Sequence, residues 1–196
     1  MTMPFDALTG TPDEALLALY ANGDPSAAAE LARRHLPRVL GFAARTLGDR
    51  AEAEDVAQET MLRLWRIAGD WRAGEAKVST WLYRVTANLC IDRRRRAARG
   101  APLDAAPDVA DGAPGALAGL IAADRAAALA AALASLPLRQ RQVVVLRHIE
   151  GLSNPEIGAV LDMSVEAVES LTARGKRALT ALLAGRRGEL GYDDEI

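Results

Sequence analysis

The sequence predicts an all-α protein of two small helical domains joined by a flexible acidic linker, and three observations lead there. Half of the 196 residues are hydrophobic but only 4% are aromatic, which suits alanine-rich helical bundles and not a large sheet core. Apolar residues recur at helical spacing in successive segments, punctuated by Asn22-Gly23, Asp24-Pro25, Gly48-Asp49 and Gly151. Between residues 100 and 124 the pattern gives way to Ala, Pro, Gly and Asp without a single Lys or Arg.

Residues 1–12 carry two prolines and no periodicity and are expected to form a loose tail. A first helix is predicted through Tyr20, with Thr11 as N-cap, Pro12 in the first turn, and Asp13 and Glu14 facing the positive end of the helix dipole. Asp24-Pro25 opens a second helix that sends Ala28, Leu31, Leu36, Val39, Leu40 and Phe42 toward a core. Pro37 is expected to kink or restart it, and Leu47-Gly48-Asp49 to end it. The third helix, through EDVAQETMLRLWR, sorts cleanly at 100° per residue. Val56, Ala57, Thr60, Met61, Leu64 and Ile67 share one arc, while Asp55, Gln58, Glu59, Leu62 and Arg66 share the other. After a break over residues 68–77, a fourth helix turns Val78, Leu82, Val85 and Leu89 inward and Arg84, Asn88 and Arg95 outward, then runs into Arg93 to Arg96.

The segment 100–124 reads as the linker, able to reach about 80 Å when extended. Beyond it, helices are predicted over Ala126 to Ala134 and Arg139 to Ile149. Ser153-Asn154-Pro155-Glu156 is a capping box that starts a helix carrying Ile157, Val160 and Leu161. Asp162-Met163 forms a turn, and Ser164 caps a last helix that offers Val165, Val168, Leu171, Leu179 and Leu182 for packing. Two helices joined by so short a turn, the second ending in Arg174, Lys176 and Arg177, make a helix-turn-helix. The domains are therefore placed at 13–99 and 125–187, with an acidic tail over 188–196.

The net charge of −2 conceals a division along the chain. Residues 13–99 hold 15 Lys and Arg against 12 Asp and Glu, residues 125–187 hold 9 against 5, and all remaining segments carry 9 acidic residues and no basic one. Both domains are basic and the connectors acidic, as expected for a polyanion-binding protein on an acidic tether. One cysteine, Cys90, excludes an internal disulfide, and with only His35 and His148 beside it no metal set and no cofactor is expected. Neither a signal peptide nor an 18-residue apolar run is visible, so the chain is expected to be soluble and cytoplasmic, without membrane insertion of its own. No Ser/His/Asp, Cys/His or P-loop constellation appears, which points away from an enzyme.

AEDVAQETMLRLWR and STWLYRVTANLCIDRRRR resemble regions 2.2 to 2.4 of bacterial sigma factors, and the compact chain resembles the extracytoplasmic-function (ECF) group of the sigma-70 family. The C-terminal helix-turn-helix is similar to region 4. The resemblance implies that the fourth helix and its preceding loop read and open the promoter −10 element through Trp71, Arg72, Gly74, Glu75, Arg84, Asn88, Arg93, Arg94 and Arg95. In that family the loop supplies a pocket for a flipped base, a role physically suited to polar groups and an aromatic face. The resemblance also places Ser164, Val165, Glu166, Glu169 and Ser170 at −35 base edges, with Arg174 and Arg177 on the backbone. Glu166 and Glu169 are unusual there, since a carboxylate accepts from cytosine but repels phosphate. Asp55, Gln58, Glu59, Leu62 and Arg66 would dock on the clamp helices of the RNA polymerase β′ subunit, and Val143 and Leu146 would meet the β flap. The implied partners are core RNA polymerase, promoter DNA and an anti-sigma factor. Two rival readings are a stand-alone helix-turn-helix regulator, which would bind duplex DNA tightly by itself, and a protein that occupies polymerase without reading DNA. Trp65 and Trp81 are expected to pack, and Cys90 to be inert.

Overall fold

The structure is a computed structural model and describes residues 8–100 and 117–184. The segments 1–7, 101–116 and 185–196, which include the expected tails and most of the expected linker, lie outside the described residues. Among the described residues there are eight α-helices and no strand: α1 (Asp13–Ala21), α2 (Pro25–Leu47), α3 (Arg50–Ile67), α4 (Val78–Gly100), α5 (Leu117–Ala134), α6 (Leu138–His148), α7 (Asn154–Leu161) and α8 (Val165–Ala184).

Local chemistry explains most of the boundaries. Asp24 accepts a hydrogen bond from the Ser26 amide at 2.9 Å and Asp49 one from the Glu52 amide at 2.9 Å, so each carboxylate satisfies a free donor at a helix start. Gly48 ends α2 in the left-handed region at φ 76°, where a side chain would be strained. At α7 the capping box is complete, Ser153 and Glu156 each accepting from the other's backbone amide. The Ser164 hydroxyl accepts from the Ala167 amide at the start of α8.

Four differences from expectation appear, and three of them have a physical reason. Pro12, not Thr11, occupies the cap position of α1, because Thr11 turns its carbonyl to the Arg34 guanidinium at 2.7 Å. Arg34 also binds the carbonyls of Leu8 and Thr9, and Leu8 is buried, so residues 8–12 are a packed strap and not part of a loose tail. Helix α2 runs unbroken through Pro37, which lies on its exposed side; the buried stripe of Leu31, His35, Val39 and Phe42 holds both halves in one line, while Leu36 turns to solvent. Helix α5 begins at Leu117 instead of Ala126.

Helices α1 to α4 form a bundle around Leu16, Leu17, Leu31, Val39, Leu64 and Leu82. Helices α5 to α8 form a second core on Leu133, Val143, Leu146, Ile157 and Val168, which also takes in Phe42 of α2 and Tyr83 and Ala87 of α4. Helix α4 therefore has two buried faces. Val78, Leu82, Thr86 and Cys90 face the bundle, and Tyr83 and Ala87 face the second domain, leaving the predicted Val85 and Leu89 only half-buried.

Candidate nucleic-acid interface

Helix α4 owes its basic outer face to the requirement that its other sides be buried. Arg84, Asn88, Arg94 and Arg95 are exposed, in the order the periodicity demands. They do not share one chemical state. Arg95 pairs with Asp92 at 3.0 Å. Arg93 turns back to α3 and binds Glu52 at 2.5 Å and Asp55 at 3.4 Å, so it bridges two helices and is only half-exposed. Arg84 donates from Nε to the Ala159 carbonyl of α7 at 3.0 Å, with its Nη2 bonded to the same oxygen. Asn88 and Arg94 are exposed beside them.

The loop ahead of α4 encloses a shallow pocket of about 230 Å³ lined by Ile67, Asp70, Trp71, Arg72, Glu75, Ala76 and Trp81. Trp71 and Trp81 stand edge to face with ring centroids 6.1 Å apart, and the indole Nε1 of Trp71 is buried without a partner. Arg72 and Glu75 reach each other at 3.4 Å across the rim. Gly74 has φ 85°, a conformation that a side chain would strain, and its amide approaches Glu14 at 3.5 Å. The loop thus offers an apolar aromatic surface and a charged rim.

On α8, Ser164, Val165, Glu166, Glu169, Ser170, Arg174 and Arg177 are all exposed. The two carboxylates are occupied locally. Glu166 is held below the usual carboxylate range by its own backbone amide and the Ser164 hydroxyl, and Glu169 accepts from the Asn154 amide group at 3.4 Å. Gly158 and Gly175 set the positions of α7 and α8. A Cβ on Gly158 would lie 2.7 Å from the Met163 carbonyl, and one on Gly175 would collide with Val144.

On α3, Asp55, Gln58, Leu62 and Arg66 are exposed and Glu59 half-buried. Glu59 binds Arg63 at 2.8 Å, with Arg66 at 3.9 Å. Arg63 pulls the Glu59 carboxyl below its ordinary value. Leu62, 40% exposed, stands in this charged surface as an apolar knob. The expected flap contact through Val143 and Leu146 is corrected: both are fully buried in the second core, because α6 is covered by α8 on one side and α2 on the other. Trp65 packs on Tyr20 with centroids 5.0 Å apart. Cys90 is buried and burial pushes its thiol up to about 12, which keeps it protonated and inert. Among the described residues no group of His, Cys, Asp and Glu is arranged to hold a metal ion, and no helix is long and apolar enough to cross a membrane.

A helical bundle with a basic helix and an aromatic loop, followed by a helix-turn-helix, defines a two-module DNA-binding transcription protein. Residues 31–100 match the family model of Sigma-70 region 2, and residues 126–179 that of Sigma-70, region 4. The chain is 37% identical to the ECF RNA polymerase sigma factor SigE of Mycolicibacterium smegmatis, over 95% of this chain and 72% of that protein. It is 35% identical to the ECF RNA polymerase sigma factor SigM of Mycobacterium tuberculosis, over 87% and 84%. Among solved structures it resembles CnrH in complex with the cytosolic domain of CnrY, with 32% identity, a TM-score of 0.65, and 88% and 97% of the two chains covered. The chain belongs to the ECF sigma factors of the sigma-70 family, which direct RNA polymerase in promoter-specific transcription initiation.

Proposed function

We propose that this sigma factor divides promoter recognition between α4 with its loop, at the −10 element, and α8, at the −35 element, while the Leu62 face of α3 binds the polymerase β′ subunit. The observation that carries the −10 assignment is the Trp71–Trp81 pocket directly ahead of the basic face of α4, with both indoles among its lining residues. An unstacked base would gain an aromatic surface from the indoles and polar contacts from Arg72 and Glu75. Arg84, Asn88, Arg94 and Arg95 would then hold the adjoining backbone and base edges, and Arg93 would brace α4 on α3. The domains are taken as 13–99 and 125–187, so that two individually weak DNA contacts become specific once polymerase fixes their separation. The protein supplies no catalytic step; polymerase carries the chemistry.

The solved relative CnrH is in complex with the cytosolic domain of CnrY, and a protein partner, an anti-sigma factor, is proposed for this chain. The test is in vitro transcription by core polymerase on genomic upstream fragments, with and without the protein. Transcripts from a few defined starts that appear only on its addition support the assignment. Arg84→Ala and Trp71→Ala should then abolish strand opening while leaving duplex −35 binding intact. Opening retained by both variants would remove these residues from the −10 site, and tight duplex binding without any added transcription would favour a stand-alone regulator.

A further inference from the structure

Helix α8 is divided along its length by charge. Its first turns carry Glu166 and Glu169 and no basic residue, and its later turns carry Arg174, Lys176 and Arg177 and no acidic one. Val168 and Gly175 are buried against the second core, so at 100° per residue the opposite arc presents Glu166, Glu169, Ser170, Ala173 and Arg177, all of them exposed. The two carboxylates on this arc differ in what engages them. Glu166 turns back on the helix start, where its own backbone amide and the Ser164 hydroxyl donate to it, so it belongs to the cap. Glu169 lies about one turn further in. The Asn154 side-chain nitrogen of α7 donates to it at 3.4 Å, while Asn154 Oδ1 is buried. So long a bond from a neutral amide orients the Glu169 carboxylate without neutralising its charge.

We infer that Glu169 is a specificity-determining residue of α8, whose carboxylate accepts from the N4 amino group of a cytosine in the −35 element and rejects guanine and thymine at that position. This rests on the −35 assignment above and adds the base that is selected. An ionised carboxylate has no proton to give, so it needs a donor. The phosphate backbone offers none and repels it, which leaves base edges as the favourable contact for a Glu on the DNA face. In the major groove guanine shows N7 and O6, and thymine shows O4 and a methyl group, all without a donor. Adenine offers its N6 amino group but sets the N7 acceptor beside it, against the carboxylate. Cytosine presents its N4 amino group with no acceptor of its own in the groove. The basic turns supply the phosphate attraction that Glu169 lacks. From residue 169 to residue 177 the helix rises about 12 Å, so the Arg177 charge lies beyond the screening length at physiological salt and leaves the carboxylate free to choose its base.

The test uses the full-length protein bound to core polymerase, on duplex promoter fragments with each −35 position randomised in turn, and sequencing of bound and unbound DNA. Wild type should prefer cytosine over guanine and thymine at one position by about fivefold or more. Glu169→Ala should level the four bases there and keep the preferences at all other positions. Glu169→Gln adds an amide donor beside the acceptor and should move that position toward adenine, whose N6 and N7 it can pair with. A change of preferred base cannot arise from misfolding, so this variant keeps the inference falsifiable. Glu166→Gln should leave the position as it is in wild type. A cytosine preference that survives in Glu169→Ala overturns the inference, and so does its loss in Glu166→Gln with Glu169→Ala unchanged. A uniform gain in affinity in Glu169→Ala, without a change in base preference, overturns it too, because the carboxylate then only repels phosphate. A wild-type holoenzyme without preference at any −35 position, whose binding is also untouched by Arg174→Ala and Arg177→Ala, removes α8 from the −35 element altogether, and the inference with it.

Discussion

Truncation of Leu62 to alanine separates binding from folding on α3. Leu62 is 40% exposed in the free protein, whereas Leu64, two residues on, is fully buried. Burying a whole Leu side chain is worth about 1.5–3 kcal/mol, so covering the exposed two fifths on docking contributes about 0.6–1.2 kcal/mol. Core polymerase affinity of Leu62→Ala should therefore fall about three- to eightfold, measured by fluorescence anisotropy of labelled protein titrated with core enzyme. Its thermal stability should stay within about 0.5 kcal/mol of wild type. Leu64→Ala should behave in the opposite way, losing about 2–5 kcal/mol of stability through cavity formation. Undiminished affinity in Leu62→Ala would refute the assignment of this face to polymerase. So would a loss of affinity matched by an equal loss of stability, because the knob would then be part of the bundle and not of its surface.

Gly175→Ala should lower stability by about 1–3 kcal/mol in thermal unfolding, because the new methyl collides with Val144 in the contact between α8 and α6. Acid should destabilise the fold as pH falls from about 4.5 toward 2. Glu30 is drawn down to about 2 chiefly by Arg33, and Glu156 to about 2 chiefly by the Ser153 amide, so both stabilise the fold above their ordinary value of 4.5 and lose that contribution as they protonate. Glu156→Gln should flatten the circular-dichroism acid titration in that window, and an unchanged titration would count against the carboxylate's role. Arg174→Ala should weaken −35 duplex binding evenly across sequences and reduce the salt slope of log K by about one, in filter-binding assays at several salt concentrations; a change in sequence preference instead would place Arg174 at a base edge.

Much of this molecule was legible in the sequence because helix formation is local. The Asp24-Pro25 start, the Gly48 stop, the Ser153–Glu156 capping box and the Ser164 cap depend on residues within one turn of each other, and each appears where the spacing demands it. The two faces of α3 followed from the same periodicity. Arg84 and Asn88 were legible as an outward pair for that reason, but their partners were not. Periodicity says which side of a helix is apolar and not which neighbour covers it, so the second buried face of α4 at Tyr83 and Ala87 went unseen. The only trace in the sequence was an aromatic residue next to the apolar arc.

Pairings between distant residues account for the other surprises. Arg34 gathering the carbonyls of Leu8, Thr9 and Thr11, Arg93 turning to Glu52, and Val143 and Leu146 enclosed between α2 and α8 all join positions that no local rule connects. The sequence by itself determined an all-helical fold, its helix starts and stops, the basic and acidic faces, and the family. The tertiary structure alone decided that Tyr83, Glu150, Gln142 and Arg84 meet across the domain seam. Helix geometry is encoded over a few residues, but the closing of one domain on another depends on shape and on polar groups finding acceptors more than fifty positions away.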